Sequence, residues 1–193
     1  IVLFAHGNAG NVSNRIPLLN KFISRGISIC MFDYRGYGKS TGITKMDTLF
    51  HDMEDTYYYL TRELDHNPNN IIIAGESIGS YPAAKLANKH NSKKLIIFYG
   101  MHSLSLTVKH LYPLMYPFIK LFISKDLQVY KELETYSGDT LILHSKEDKI
   151  VNYNNALENS KVKSNGNITL VTITGGHNDP AVDWERVNQF IKT

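Results

Sequence analysis

The stretch Gly75-Glu76-Ser77-Ile78-Gly79 constrains this chain more than any other. It follows the β-branched run Ile71-Ile72-Ile73 and precedes Tyr81-Pro82-Ala83-Ala84-Lys85-Leu86-Ala87, which reads as a helix. A buried strand that enters a tight turn and leaves as a helix holds the middle serine at the apex, in a strained backbone conformation. The chain then passes close to itself on both sides, where only glycine avoids a side-chain clash. The helix behind the turn aims its unpaired N–H groups at the serine, which favours developing negative charge there. G-x-S-x-G alone turns up by chance in many chains. In this strand and helix setting it marks Ser77 as a candidate nucleophile.

Around this turn the chain alternates strand and helix signals without an internal repeat or a low-complexity linker. Apolar runs at residues 1–5, 27–32, 71–73, 94–99, 140–144 and 168–173 read as strands covered on both faces. Between them, residues 13–25 suit a helix with Ile16, Leu19 and Ile23 inward, ended by Gly26. Residues 44–64 carry Leu49, Met53, Tyr57, Leu60 and Leu64 at helical spacing. Residues 152–161 suit another helix. A last one is expected to start at Asp179-Pro180, with Asp as N-cap, Pro in the first turn, and Ala181, Trp184, Val187 and Ile191 inward. Such alternation gives an α/β fold with a mostly parallel sheet and helices on both faces.

The 193 residues fit one domain, 1–193, and are enough for a substantial core. A net charge of +3 is too small to imply a nucleic-acid partner. Cys30 is the single cysteine, lies in an apolar run, and reads as a buried structural residue. No signal peptide or membrane-spanning run is present, and the chain opens abruptly on a core strand. That opening suggests a fragment whose outer strands, and any anchor, precede residue 1. A glycan on the Asn11 sequon would crowd the loop that follows the first strand, which argues against a secreted protein.

In a parallel sheet, reacting groups gather beyond the carboxyl ends of the strands. There the loop after residues 140–144 supplies Ser145-Lys146-Glu147-Asp148, and the loop after 168–173 supplies Gly175-Gly176-His177-Asn178. A serine hydroxyl needs a base to take its proton, a task suited to His177, and an acid to orient that base. Asp148 is the favoured acid, with Glu147 and Asp179 as rivals. His6-Gly7-Asn8 ends the first strand beside the elbow, so the backbone N–H groups of Asn8 and Ile78 are the candidate oxyanion donors. The plainer alternative is that this loop only makes a turn.

The other candidates have structural readings. His6 and His144 at strand ends read as hydrogen bonders, and His51, His66, His90 and His110 as surface residues. His102 could line the pocket, and Arg35 reads as a loop-fixing donor. The eight histidines show no ligand spacing, so no metal or cofactor is expected.

These motifs resemble the α/β-hydrolase superfamily over essentially the whole chain. His6-Gly7-Asn8-Ala9-Gly10-Asn11, Asp33-Tyr34-Arg35-Gly36-Tyr37-Gly38-Lys39-Ser40 and Gly75-Glu76-Ser77-Ile78-Gly79 look like the α/β-hydrolase domain-containing serine hydrolases. That group includes membrane-anchored depalmitoylases, lysophospholipases and monoacylglycerol lipases. Residues 141–151 resemble its acid loop, apart from Ser145 where the group usually has glycine, and 175–178 its histidine loop. The resemblance implies an acyl-enzyme on Ser77, lipid-type ester or thioester substrates, an acylated protein or lipid as partner, and a place on the cytoplasmic face of a membrane. A peptidase of the same fold and a non-catalytic binding module are the rival readings. Retention of Ser77, Asp148 and His177 together speaks against the module.

Residues 103–136 break the alternation with two prolines and many aromatics, where this fold inserts a lid. Residues 111–123 are too short and too proline-broken to span a bilayer, yet suit an apolar cover or a membrane-contacting surface. No Asp or Glu occurs from Ser77 to Lys125, while Lys109, Lys120 and Lys125 flank the apolar stretch. The plainer reading makes it lid core.

Overall fold

The computed structural model describes residues 1–123 and 126–193. Six strands, β1 (Val2–Ala5), β2 (Ile29–Met31), β3 (Ile72–Glu76), β4 (Lys94–Phe98), β5 (Asp139–Ser145) and β6 (Ile168–Ile173), form one parallel sheet in the order β2-β1-β3-β4-β5-β6. The chain runs from β1 to one side and returns to the other, so the strand order reverses between β1 and β3. Crevices form at such a reversal.

The helices are α1 (Ile16–Ile23), α2 (Thr48–Tyr58), α3 (Ser80–Lys89), α4 (Leu104–Leu111), α5 (Tyr116–Ile119), α6 (Val129–Thr135), α7 (Asn154–Ser160) and α8 (Trp184–Lys192). They sandwich the sheet, which explains why its strands are apolar throughout. Leu3, Ile73, Leu95, Ile97 and Ile142 face the cluster with α2, α3 and α6. Their neighbours Val2, Phe4, Ala74, Ile96, Phe98 and Leu143 face Phe22 of α1 and Val187 of α8. The two-residue period of a strand thus fills two cores at once.

Several helix expectations need correction. On α1, Ile16 and Ile23 are exposed and Leu19 is half-buried, while Phe22 is fully buried. Phe22 meets Phe4, Phe98 and Trp184 edge-on, so these three aromatic contacts set the face of the helix. The 44–64 helix begins at Thr48, and its last turn widens to a π turn over Tyr59–Glu63. That widening leaves Leu64 exposed although Leu49, Met53, Tyr57 and Leu60 are buried. The final helix does not begin at Asp179-Pro180. Thr174 and Ala181 pair as an antiparallel bridge, which closes the intervening residues into a bent loop, and Asp183 caps α8 by accepting from the Arg186 N–H at 2.9 Å. Ala181 therefore lies outside the helix and is exposed. His90 is not a surface residue: it packs on Tyr57 and binds Glu54 at 2.8 Å. Cys30 is half-buried.

Candidate active site

The elbow is built from crowding. Ser77 has φ +52°, a left-handed value that costs any residue with a Cβ. A Cβ on Gly75 would overlap the Gly79 carbonyl and lie 2.8 Å from Ala83 Cβ, and one on Gly79 would overlap the Ala5 carbonyl. The turn can therefore sit against β1 only with glycine at both flanks. The loop after β1 is equally close: a Cβ on Gly7 would lie 3.3 Å from Ser77 Cβ. Asn8, next in that loop, lines the same cavity as Ser77. Ile78 follows the serine in a short 3-10 turn leading into α3, partly buried against the core.

Three side chains from distant parts of the chain meet here. Ser77 Oγ lies 3.0 Å from His177 Nε2, and His177 Nδ1 lies 2.6 Å from Asp148 Oδ2. This places the Nδ1 proton between ring and carboxylate, so Nε2 accepts from the serine hydroxyl. Asp148 is buried, and burial alone would raise its pKa. Hydrogen bonds from His144 and His177, the charge of His177 and the Val151 N–H outweigh that and hold the carboxyl far below the usual carboxylate range. Its other oxygen, Oδ1, accepts the N–H groups of Ile150 and Val151, each at 2.9 Å. The rivals have other places. Glu147 accepts the Gly175 N–H at 3.1 Å, so it fastens the histidine loop, and Asp179 is exposed at the cavity edge.

His6 and His144 are buried beneath the site. His6 Nδ1 donates to the Gly7 carbonyl at 2.8 Å, and His144 Nε2 to the Val151 carbonyl at 2.7 Å. Burial holds the His6 pKa below its ordinary value, so the ring stays neutral. Arg35 pairs with Asp52 at 2.5 Å and fixes its loop.

Sequence reasoning missed a second cluster. Glu76, the residue between Gly75 and Ser77, is buried and binds Gly7, Arg15 and Tyr99. An acid between an apolar strand and the elbow serine was the available signal, since a buried acid needs partners.

The cavity over Ser77 has a volume of about 690 Å³. Its lining includes the apolar Leu18, Pro180, Val182 and Trp184 and the polar Asn14, Arg15 and Lys21. Trp184 thus both packs in the core and lines the site. Among the described residues, the walls include none from 103–136. That segment, with His102, borders a separate cavity of about 420 Å³. His102 therefore does not line the Ser77 pocket; it stacks on Tyr130 and bonds Asn159 at 3.0 Å. The reason is polar anchoring: Thr107 and the His102 amide both reach Asn155 of α7, which ties the segment to that helix. Among the described residues, no group of three or more His, Cys, Asp or Glu could hold a metal ion.

Residues 1–130 match the profile of a family described as serine aminopeptidase, S33 (Hydrolase_4). An uncharacterized protein of Acanthamoeba polyphaga mimivirus is 31 % identical, over 96 % of this chain and 69 % of its own length. Alpha/beta hydrolase domain-containing protein 17C of Xenopus tropicalis is 28 % identical, over 98 % of this chain and 61 % of its own length. This chain thus spans only part of the length of either relative. Among solved structures, an esterase of Pyrococcus furiosus superposes with a TM-score of 0.82 at 18 % identity, covering 99 % of this chain and 79 % of that one. Est1E of Butyrivibrio proteoclasticus, with ferulic acid bound, gives 0.76 at 19 % identity, covering 99 % and 86 %. At these identities the likeness is one of fold.

Proposed function

The chain belongs to the serine aminopeptidase S33 (Hydrolase_4) family of the α/β-hydrolase superfamily, and from that premise we propose that it is a serine hydrolase acting through an acyl-enzyme on Ser77. The observation that carries this reading is the contact of Ser77 Oγ with His177 Nε2 at 3.0 Å, with Asp148 on the far side of the ring. His177 takes the hydroxyl proton as Oγ attacks the substrate carbonyl carbon. The carbonyl oxygen becomes an oxyanion, held by the N–H groups of Asn8 and Ile78. The intermediate collapses, and His177 returns the proton to the departing alcohol or thiol. Water then enters, gives a proton to His177, attacks the acyl carbon and releases the acid, and Ser77 recovers its proton. Asp148 keeps the ring in the required tautomer and stabilises the imidazolium.

For substrate we propose a lipid-type ester or thioester. Support comes from the resemblance to α/β-hydrolase domain-containing proteins and from the apolar residues, Leu18, Pro180, Val182 and Trp184, that line the same cavity as Ser77. The family description favours a second reading, an aminopeptidase working by the same steps on an amide. Labelling with a fluorophosphonate tests the common chemistry: the adduct is expected on Ser77, and Ser77→Ala should lower turnover by roughly a million-fold. Folded protein that stays unlabelled, or is labelled elsewhere, overturns the proposal. Acyl esters and thioesters of graded chain length, set against aminoacyl anilides, separate the two readings.

The segment around α4 and α5 is proposed to touch an anionic lipid surface. Leu114, Phe118, Leu121 and Phe122 are each at least 70 % exposed, a cluster that soluble surfaces seldom carry without a partner. Lys109 and Lys120 lie in or beside this stretch, and no Asp or Glu occurs from Ser77 to Lys125, a balance that suits an anionic leaflet. Lys125, counted with them above, lies outside the described residues. No helix among the described residues is long and apolar enough to cross a membrane.

A further inference from the structure

Glu76 has no step in the chemistry above, yet it binds three segments around the nucleophile: the loop after β1, the turn before α1 and the residue after β4. Its Oε1 accepts the Gly7 N–H at 2.8 Å and the Arg15 Nε–H at 2.7 Å, and its Oε2 accepts the Tyr99 hydroxyl at 2.8 Å. Arg15 carries the connection further, donating from Nη1 to the Ala9 carbonyl at 2.6 Å and to that of Asn11 at 3.3 Å. The pair therefore grips the loop after β1 at Gly7, Ala9 and Asn11, on both sides of Asn8. Tyr99, the third partner, sets its ring edge-on to His177 with centroids 5.2 Å apart. Burial, with Glu76 beside it, holds the Tyr99 pKa well above its ordinary value, so it remains a hydroxyl donor.

Stability alone is a poor reason for this arrangement. Both side chains are largely buried, and a buried ion pair is often no more stabilising than an apolar pair of the same volume. An apolar pair could not hold one amide and two carbonyls of the loop. The charge also matters. A lone carboxylate one residue from the nucleophile would oppose a negative charge forming on the substrate oxygen, and Arg15 cancels it.

We propose that Arg15 and Glu76 are positioning residues for the oxyanion loop: they hold the Asn8 N–H on target, and Arg15 removes the field of the Glu76 carboxylate from the reacting carbonyl. This rests on the serine-hydrolase reading of the same site.

The two roles predict an unequal pair of variants. Arg15→Met frees the loop and uncovers the carboxylate, so kcat should fall about 100-fold, the scale of a displaced oxyanion donor. KM should stay within about threefold, because the loss lies in the transition state. Glu76→Gln keeps an acceptor for Gly7 and Tyr99 and should lose less than about tenfold. The double variant Arg15→Met/Glu76→Gln, which removes the uncovered charge, should recover a good part of the Arg15→Met loss. The measurements are kcat and KM on a p-nitrophenyl ester, together with affinity for a trifluoromethyl ketone, whose tetrahedral adduct carries the oxyanion. Affinity for the ketone should fall in step with kcat. An unchanged ketone affinity, a change in KM alone, or a double variant no better than Arg15→Met overturns the inference. If Arg15→Met does not fold by circular dichroism, Arg15→Lys takes its place: it keeps the charge but not the fork, and wild-type kcat and ketone affinity there overturn the positioning role. Wild type that fails to react with fluorophosphonate refutes the hydrolase reading and this one with it. Reactive wild type with variants indistinguishable from it refutes this one alone.

Discussion

Asp148 meets His177 through a single oxygen. Oδ2 is 2.6 Å from Nδ1, while Oδ1 is occupied by two backbone N–H groups of its own loop. The carboxylate is thereby locked in rotation, and the ring it binds is locked with it. Asp148→Asn should then lower turnover by about 10⁴-fold, because an amide N–H facing Nδ1 favours the wrong tautomer. Glu147→Gln and Asp179→Asn should each stay within about tenfold of wild type, since neither side chain bonds the ring. Steady-state rates on one ester decide it. Near-wild-type activity in Asp148→Asn would refute Asp148 as the acid that orients His177.

The same carboxyl sets a dependence of stability on acid. Its folded-state pKa lies far below the value near 3.9 of an unfolded chain, so the folded state binds the proton less readily. The stabilisation is fully present above about pH 4 and is lost as pH falls from there toward the folded value. Urea midpoints taken between pH 7 and pH 3 should therefore drop more steeply below pH 4 in wild type than in Asp148→Asn. Glu54 keeps a residual slope in both: hydrogen bonds from Lys89 and His90 overcome its burial and hold its pKa down. Parallel curves for the two proteins would contradict the assignment.

The start of α8 gives a stability test that is independent of chemistry. Asp183→Ala should cost about 1 kcal/mol through loss of the bond to the Arg186 N–H. Asp179→Ala, four residues earlier on an exposed loop, should cost less than about 0.5 kcal/mol. Thermal melts of the two variants compare them directly. The reverse order would restore the earlier helix start.

Contact with an anionic lipid surface is measured by co-sedimentation with liposomes. Wild type should bind vesicles containing phosphatidylserine more than neutral ones, and less as salt rises. Phe118→Ser and Lys120→Glu should each weaken binding. A protein indifferent to lipid charge, salt and both substitutions has an ordinary surface there.

Much of the fold is local information. Runs such as Ile71-Ile72-Ile73 are apolar at every position, which suits only a strand covered on both faces, and their alternation with helical stripes implies a parallel sheet. The elbow is local as well: Gly75 and Gly79 stand where a Cβ would strike Ala83 or β1, so the turn is written into five residues. Chain order likewise put Ser77, Asp148 and His177 forward together.

Tertiary structure decided the rest, because each remaining question depended on which groups compete for one place. Glu147, Asp148 and Asp179 are equivalent in a sequence; only the closure of β5 against β6 gives the ring to Asp148 and leaves Glu147 for the Gly175 amide. The cap of α8 is Asp183 because the Thr174–Ala181 bridge claims the chain that Asp179-Pro180 would have started. Ile16 and Ile23 read as core residues, yet Phe22 found the larger aromatic contact and turned α1 to suit it. The Glu76–Arg15 pair joins positions 61 residues apart, and no pattern in the chain foretells that a buried acid will find its arginine there. Periodicity reports which face of an element is apolar; only packing reports what that face, or a charge beside it, will meet.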